Sequence, residues 1–205
     1  MARPKRLSTF DYLGPHRYFL TCCVQDRRSV FVDDDTVALV RSQFLEQADV
    51  HAFAILVDCF MPDHVHLLVE ATTDQSELRP FVARAKQHSA FDFSRRHGFR
   101  LWQEAFTIAC CEATTDQSEL RPFVARAKQR AAFGFSKRYG YRLWQEGYHD
   151  RVLRSDESTP AVIRYIIANP VRAGLVDDPR DYPYWGSGIW TREALLDFIA
   201  IEGRP

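Results

Sequence analysis

The spacing of apolar residues changes character several times along the chain, and each change predicts an element. Residues 17–24 (RYFLTCCV) are aromatic, β-branched and bounded by turn residues, which predicts a strand. Residues 36–48 (TVALVRSQFLEQA) place Val37, Val40, Phe44 and Ala48 at helical spacing, with Thr36 in the N-cap position. Residues 52–60 (AFAILVDCF) and 64–70 (HVHLLVE) are two more strands, and Met61-Pro62-Asp63 between them predicts a hairpin turn.

A helix follows in which Leu78, Phe81, Val82, Ala85 and Ser89 share one side, while Arg79, Arg84 and Lys86 project elsewhere. A fourth strand is expected around Tyr148–Leu153. A last helix starts at Ser158 or Thr159, with Pro160 in the favoured first position, and runs to Asn169-Pro170. The order β–α–β–β–α–β plus a terminal helix predicts an α+β fold with a ferredoxin-like antiparallel sheet.

The chain also contains a copy of part of itself. Residues 70–106 recur as 112–148 at an offset of 42, with 29 of 37 positions identical. Solenoids need about three or more repeats, so two near-identical copies read as a tandem duplication (units 70–111 and 112–148) inside one domain spanning 1–205. Removing one unit leaves 163 residues of the 205. The second helix repeats the first through Leu120, Phe123, Val124 and Ala127, and Gly98 and Gly140 are the expected helix stops. The sequence leaves open which copy fills the single helix position of the fold.

With 46% hydrophobic and 26% charged residues, the composition is globular and excludes disorder, collagen and coiled coil. The net charge is zero, but its distribution is not even. Residues 121–142 carry seven basic residues and no acidic one, a local field suited to a polyanion. Five cysteines, an odd number without Cys-x-x-Cys spacing, argue against a disulfide framework or structural zinc and fit a reducing cytoplasm. The basic N-terminus is followed by no apolar run, so neither a signal peptide nor a membrane span is expected.

Two positions can carry chemistry. His64 and His66 lie two apart in a strand, so both imidazoles point to one face and Val65 to the other. Two convergent neutral imidazoles are half of a metal site. Tyr165 and Asn169 are four apart on the last helix and share a face. A carboxamide oxygen suits a hard cation, and a phenol beside a cation and a phosphate can act as a nucleophile. Tyr139, Tyr141 and Tyr148 have no amide partner at helical spacing and read as packing or stacking residues, while Tyr182 and Tyr184 sit among prolines in an irregular segment.

MPDHVHLLVE, LWQEGYHDRVLR and YIIANPVRAGL, in this order, resemble the single-tyrosine HUH transposases, most of all the REP-associated tyrosine transposase branch. The HUH pattern of His, hydrophobic residue and His is His64-Val65-His66. The resemblance implies that His64, His66 and Asn169 hold Mg²⁺ or Mn²⁺. It implies that Tyr165 attacks a phosphodiester to give a 5′-phosphotyrosyl link and a free 3′-OH, and that the strand can be resealed. The implied partner is single-stranded or hairpin-bearing DNA of the nucleoid in a prokaryotic cytoplasm, bound by a monomer or homodimer. Lys128, Arg130, Arg138 and Arg142 would hold phosphates, with Arg151 and Arg154 nearer the site. Two other readings stand beside this one. The first is a hairpin-DNA-binding module made catalytically silent by the duplication. The second is a ferredoxin-like RNA-binding domain, which needs no histidine pair.

Overall fold

The computed structural model describes residues 12–96, 143–153 and 159–201. The elements are β1 (Arg17–Cys23), α1 (Asp34–Val50), β2 (Phe53–Met61), β3 (His64–Ala71), α2 (Leu78–Arg96), β4 (His149–Val152), α3 (Thr159–Ile167), α4 (Asn169–Arg172), β5 (Trp185–Gly186) and α5 (Arg192–Ile201). The sheet runs β4-β1-β3-β2-β5, and every neighbouring pair is antiparallel. The first four strands form the split βαβ order expected from the sequence. β5 adds an edge beside β2 that the sequence reading did not anticipate.

Strand alternation divides the core into two layers. Leu20, Cys22, Val65, Leu67 and Val69 face α1 and α2, meeting Val40, Phe44, Phe81, Val82 and Ala85. Val57, Cys59, Met61 and Leu68 face the other way, against Val162, Ile163, Ile166 and Ile167 of α3. A register shift between Ile55 and Val57 sets Cys59 opposite His66 and Met61 opposite His64. The bulge thereby fixes which β2 residues lie beside the imidazoles.

Several boundaries differ from expectation for local reasons. α1 is capped by Asp33 rather than Thr36. The Asp33 carboxylate accepts from the Thr36 amide at 2.8 Å and from its hydroxyl at 2.9 Å, which places Thr36 inside the first turn. Asp34 and Asp35 then lie in the first turn, where the helix dipole favours negative charge. The tyrosine helix stops at Ile167, and a separate short helix begins at Asn169, with Pro170 in its first turn. Beyond Tyr182, α5 adds a helix where none was expected. Among the described residues no helix is long and apolar enough to cross a membrane.

The helix position is filled by the first copy, and the segment leading into β4 comes from the second. Buried Leu143 and Trp144 pack in the α1–α2 layer. The Trp144 indole N–H donates to the buried Ser89 hydroxyl at 2.9 Å. Lys86, expected off the apolar side of the helix, donates to the carbonyls of Gln145, at 2.7 Å, and Gly147. Burial pushes its ammonium pKa down. The residue matching Ser89 in the second copy is Ala131, which has no hydroxyl to accept from an indole. The expected stops at Gly98 and Gly140, and the second helix itself, lie outside the described residues.

Ser89→Ala should therefore cost about 1–3 kcal/mol by leaving a buried N–H unpaired. Denaturant unfolding should show a lower midpoint at unchanged slope; an unchanged midpoint would mean the indole finds another acceptor.

Candidate functional site

The site begins at the β2–β3 turn. Pro62 and Asp63 are pinned from outside the hairpin: the amides of Val30 and Phe31 donate to the Pro62 carbonyl at 2.8 and 3.0 Å, and that of Val24 to the Asp63 carbonyl at 2.9 Å. The chain then enters β3 with His64 and His66 on the α3 side. Their Nε2 atoms lie 3.0 Å apart and the rings stand nearly perpendicular, at 84°.

Each imidazole is fixed through its other nitrogen. Asp63 Oδ1 accepts from His64 Nδ1–H at 2.5 Å, so the neutral His64 ring offers its Nε2 lone pair as the acceptor in the 3.0 Å hydrogen bond with His66 Nε2. Thr21 Oγ1 lies 2.9 Å from His66 Nδ1, because β1 pairs Thr21 directly opposite His66. In the other His66 tautomer Thr21 accepts from Nδ1–H, the hydrogen bond between the rings is given up, and both Nε2 lone pairs aim at the same space. This is how outer partners orient histidine ligands in metal sites. Burial pushes both imidazoles toward the neutral, ligating form. For His66 the nearby His64, Arg27 and Arg172 add to the effect and take its pKa down to about 3.

Arg27 closes the outer side of the pair. Its guanidinium meets Asp63 at 3.1 Å and donates to Cys23 Sγ at 3.2 Å. Asp26 and Arg27 both hold positive φ, 56° and 55°, a conformation that costs a non-glycine residue roughly 1–2 kcal/mol. Local strain beside a candidate site is consistent with a backbone held for function.

Tyr165 reaches the same sheet face from α3. Four apolar side chains of that helix are buried, while Tyr165 is 44% exposed. Phe19, which sits on the His66 side of β1, joins the two. Its ring stacks on His66 at 5.4 Å and 24°, and meets Tyr165 edge-on at 5.9 Å and 90°. The Asn169 side-chain amide donates to the carbonyls of Tyr165 and Ile166 at 3.0 and 3.3 Å, leaving Oδ1 as the atom for a cation. Among the described residues no hydrogen bond joins Asn169 to either imidazole, and no group of three His, Cys, Asp or Glu could hold a metal.

Arg151 is exposed on β4 directly opposite Phe19, on the face that carries the histidines. Lys128, Arg130, Arg138, Arg142 and Arg154 lie outside the described residues. The sequence reading missed Phe19, Thr21 and Arg172 and saw Asp63 only as a turn former. Their roles depend on strand register and on contacts between elements.

A histidine whose folded pKa is depressed binds protons more readily when unfolded. Stability should therefore fall as pH drops from 6.5 toward about 3. His66→Gln should flatten this slope by up to ~1.4 kcal/mol per pH unit, the value for one proton, in denaturant midpoints measured across that range. An unchanged slope would show that His66 is not held neutral.

A family model described as "Transposase IS200 like" matches residues 14–124. The match takes in the histidine pair and ends before Tyr165. A solved REP-associated tyrosine transposase bound to a REP hairpin superposes with a TM-score of 0.56 at 17% identity, covering 90% of this chain and 82% of that one. A Deinococcus radiodurans R1 protein assigned as a transposase is 23% identical over 80% of this chain and 96% of that one, but its TM-score of 0.42 is too low to establish a shared fold. No curated protein matches the chain. With more than half of its length matched by one family model, and a fold shared with a tyrosine transposase, the chain belongs to the IS200-like transposases.

Proposed function

We propose that the protein cleaves and rejoins single-stranded DNA beside a hairpin, with Tyr165 as nucleophile and His64 and His66 as ligands of a divalent cation, Mg²⁺ or Mn²⁺. The observation that carries this reading is Phe19, whose ring touches both His66 and Tyr165 on one sheet face. The donor set fits a cation: two converging Nε2 atoms, each imidazole tied through Nδ1, and the free carboxamide oxygen of Asn169 as the third ligand proposed. When bound, the cation would draw negative charge from a non-bridging phosphate oxygen.

The chain's own residues would do the rest. His64 and His66 remain neutral and oriented, so no ligand needs to lose a proton at neutral pH. The Tyr165 hydroxyl attacks phosphorus. A bond forms between its oxygen and phosphorus as the P–O3′ bond breaks. The phenolic proton passes to solvent, and the departing 3′ oxygen takes up a proton to become a 3′-OH. The 5′-phosphotyrosyl link keeps the phosphodiester bond's free energy, so a 3′-OH can attack it and reseal the strand without a nucleotide cofactor.

The fold's likeness to a REP-associated tyrosine transposase solved with a REP hairpin supports membership of that branch and a hairpin-bearing substrate. Exposed Arg151 is the described member of the proposed basic DNA contacts. The alternative, a silent DNA-binding module disabled by the duplication, is less well supported. α2 and the β4 segment form a packed core despite the duplicated unit between them, and the histidine pair is assembled.

Incubated with hairpin-bearing single-stranded oligonucleotides and Mn²⁺, the wild-type protein should give a covalent protein–DNA adduct on a denaturing gel. EDTA or Tyr165→Phe should reduce it below detection. DNA binding without an adduct would favour the silent module, and an adduct surviving in Tyr165→Phe would assign the nucleophile elsewhere.

A further inference from the structure

One charged side chain leans on the ring of the proposed nucleophile. Arg172 ends α4, seven residues after Tyr165, and its guanidinium carbon lies 4.5 Å from the centre of the Tyr165 ring. Phe19 meets the same ring edge-on, so the phenol contacts both an aromatic ring and a cation. The charge of Arg172 also reaches His66, where it favours the neutral imidazole.

Five other arginines near the sheet hold a carboxylate. Arg17, Arg27, Arg41, Arg96 and Arg180 each pair with a carboxylate, Glu70, Asp63, Asp58, Asp35 and Asp178 respectively. Arg172 is exposed and pairs with no carboxylate among the described residues. A helix dipole welcomes a cation anywhere around the last turn, so the dipole alone does not account for the stacking over Tyr165. A planar guanidinium beside a phenol and near an imidazole pair has the shape and charge to take two oxygens of a phosphodiester.

We propose that Arg172 is a phosphate-binding residue of this site, its N–H groups taking the non-bridging oxygens of the phosphodiester presented to Tyr165. This rests on the reading of Tyr165 as nucleophile and extends it to the substrate contact. The guanidinium then has two tasks. Its face holds the phenol ring in place, and its edge fixes the phosphorus within reach of the phenolic oxygen. Charge building on the phosphate during attack meets a donor already in position.

The test uses hairpin-bearing single-stranded oligonucleotides, each with one neutral methylphosphonate at a successive position. Binding is measured on the Tyr165→Phe protein, which keeps the ring but cannot form the adduct, with and without Arg172→Gln. One methylphosphonate position should weaken binding roughly 10-fold or more, and Arg172→Gln should abolish that sensitivity while leaving the others unchanged. Arg172→Lys, which keeps charge without the planar fork, should retain part of it. If no position loses its sensitivity in Arg172→Gln, the phosphate contact is wrong and Arg172 is only a packing partner of Tyr165.

Cleavage by the Tyr165-containing protein reads the reaction separately. Arg172→Gln should slow it on the order of 10²-fold, with the cut at the Arg172-dependent position. A sensitive position that is never cut would overturn the nucleophile assignment and keep the phosphate contact. A cut at a different position would overturn the proposed presentation to Tyr165.

Discussion

The site depends on the register of one central strand. β3 lies between β1 and β2, and its pairing sets Thr21 opposite His66 on one side and Cys59 opposite His66 on the other. Because side chains alternate along a strand, a slip of one residue would bury His64 and His66 against α1 and α2 and turn Val65 and Leu67 to the α3 side. The apolar partners on both faces, from Val69 and Leu67 on one to Leu68 on the other, make such a slip costly. The pinned Pro62-Asp63 turn holds the same register at the strand's start.

The imidazoles are placed by burial and then oriented by hydrogen bonds. Burial alone would leave two neutral rings free to turn. Asp63 and Thr21 remove that freedom from opposite ends of the pair. Arg27 binds the same Asp63, so the carboxylate is shared between a cation and an imidazole. Phe19 then extends the constellation to Tyr165, and Arg172 closes over the phenol.

Most of the fold was legible because its strands and helices announce themselves by period. The four principal strands, the hairpin and the buried faces of α1, α2 and α3 follow from where the apolar residues fall. β5 was missed because two residues, Trp185 and Gly186, carry no period at all. Gly186 at that edge leaves room for the Arg41 guanidinium that reaches buried Asp58. α1 began earlier than its apolar residues indicated because an aspartate cap has no hydrophobic signature. The break before Asn169 follows Pro170, which suits a first helical turn better than a helix interior.

The site was legible in part. His64 and His66 could be assigned to one face because a strand has a period of two. Thr21 could not be found that way, since its place opposite His66 is a property of pairing between strands 45 residues apart. Arg172 reads as an ordinary basic residue until the turn between α3 and α4 brings it over Tyr165. The duplication could be seen as a repeat, but only contacts such as Trp144 with Ser89 reveal that the fold joins the first copy's helix to the second copy's end.

The central claim is that the imidazole pair is a cation site built by β3 register, and calorimetric titration with Mn²⁺ tests it directly. The full-length protein should bind one Mn²⁺, and a His64→Ala, His66→Ala double variant with wild-type far-ultraviolet circular dichroism should bind none. Unchanged Mn²⁺ binding by the folded double variant would contradict the account.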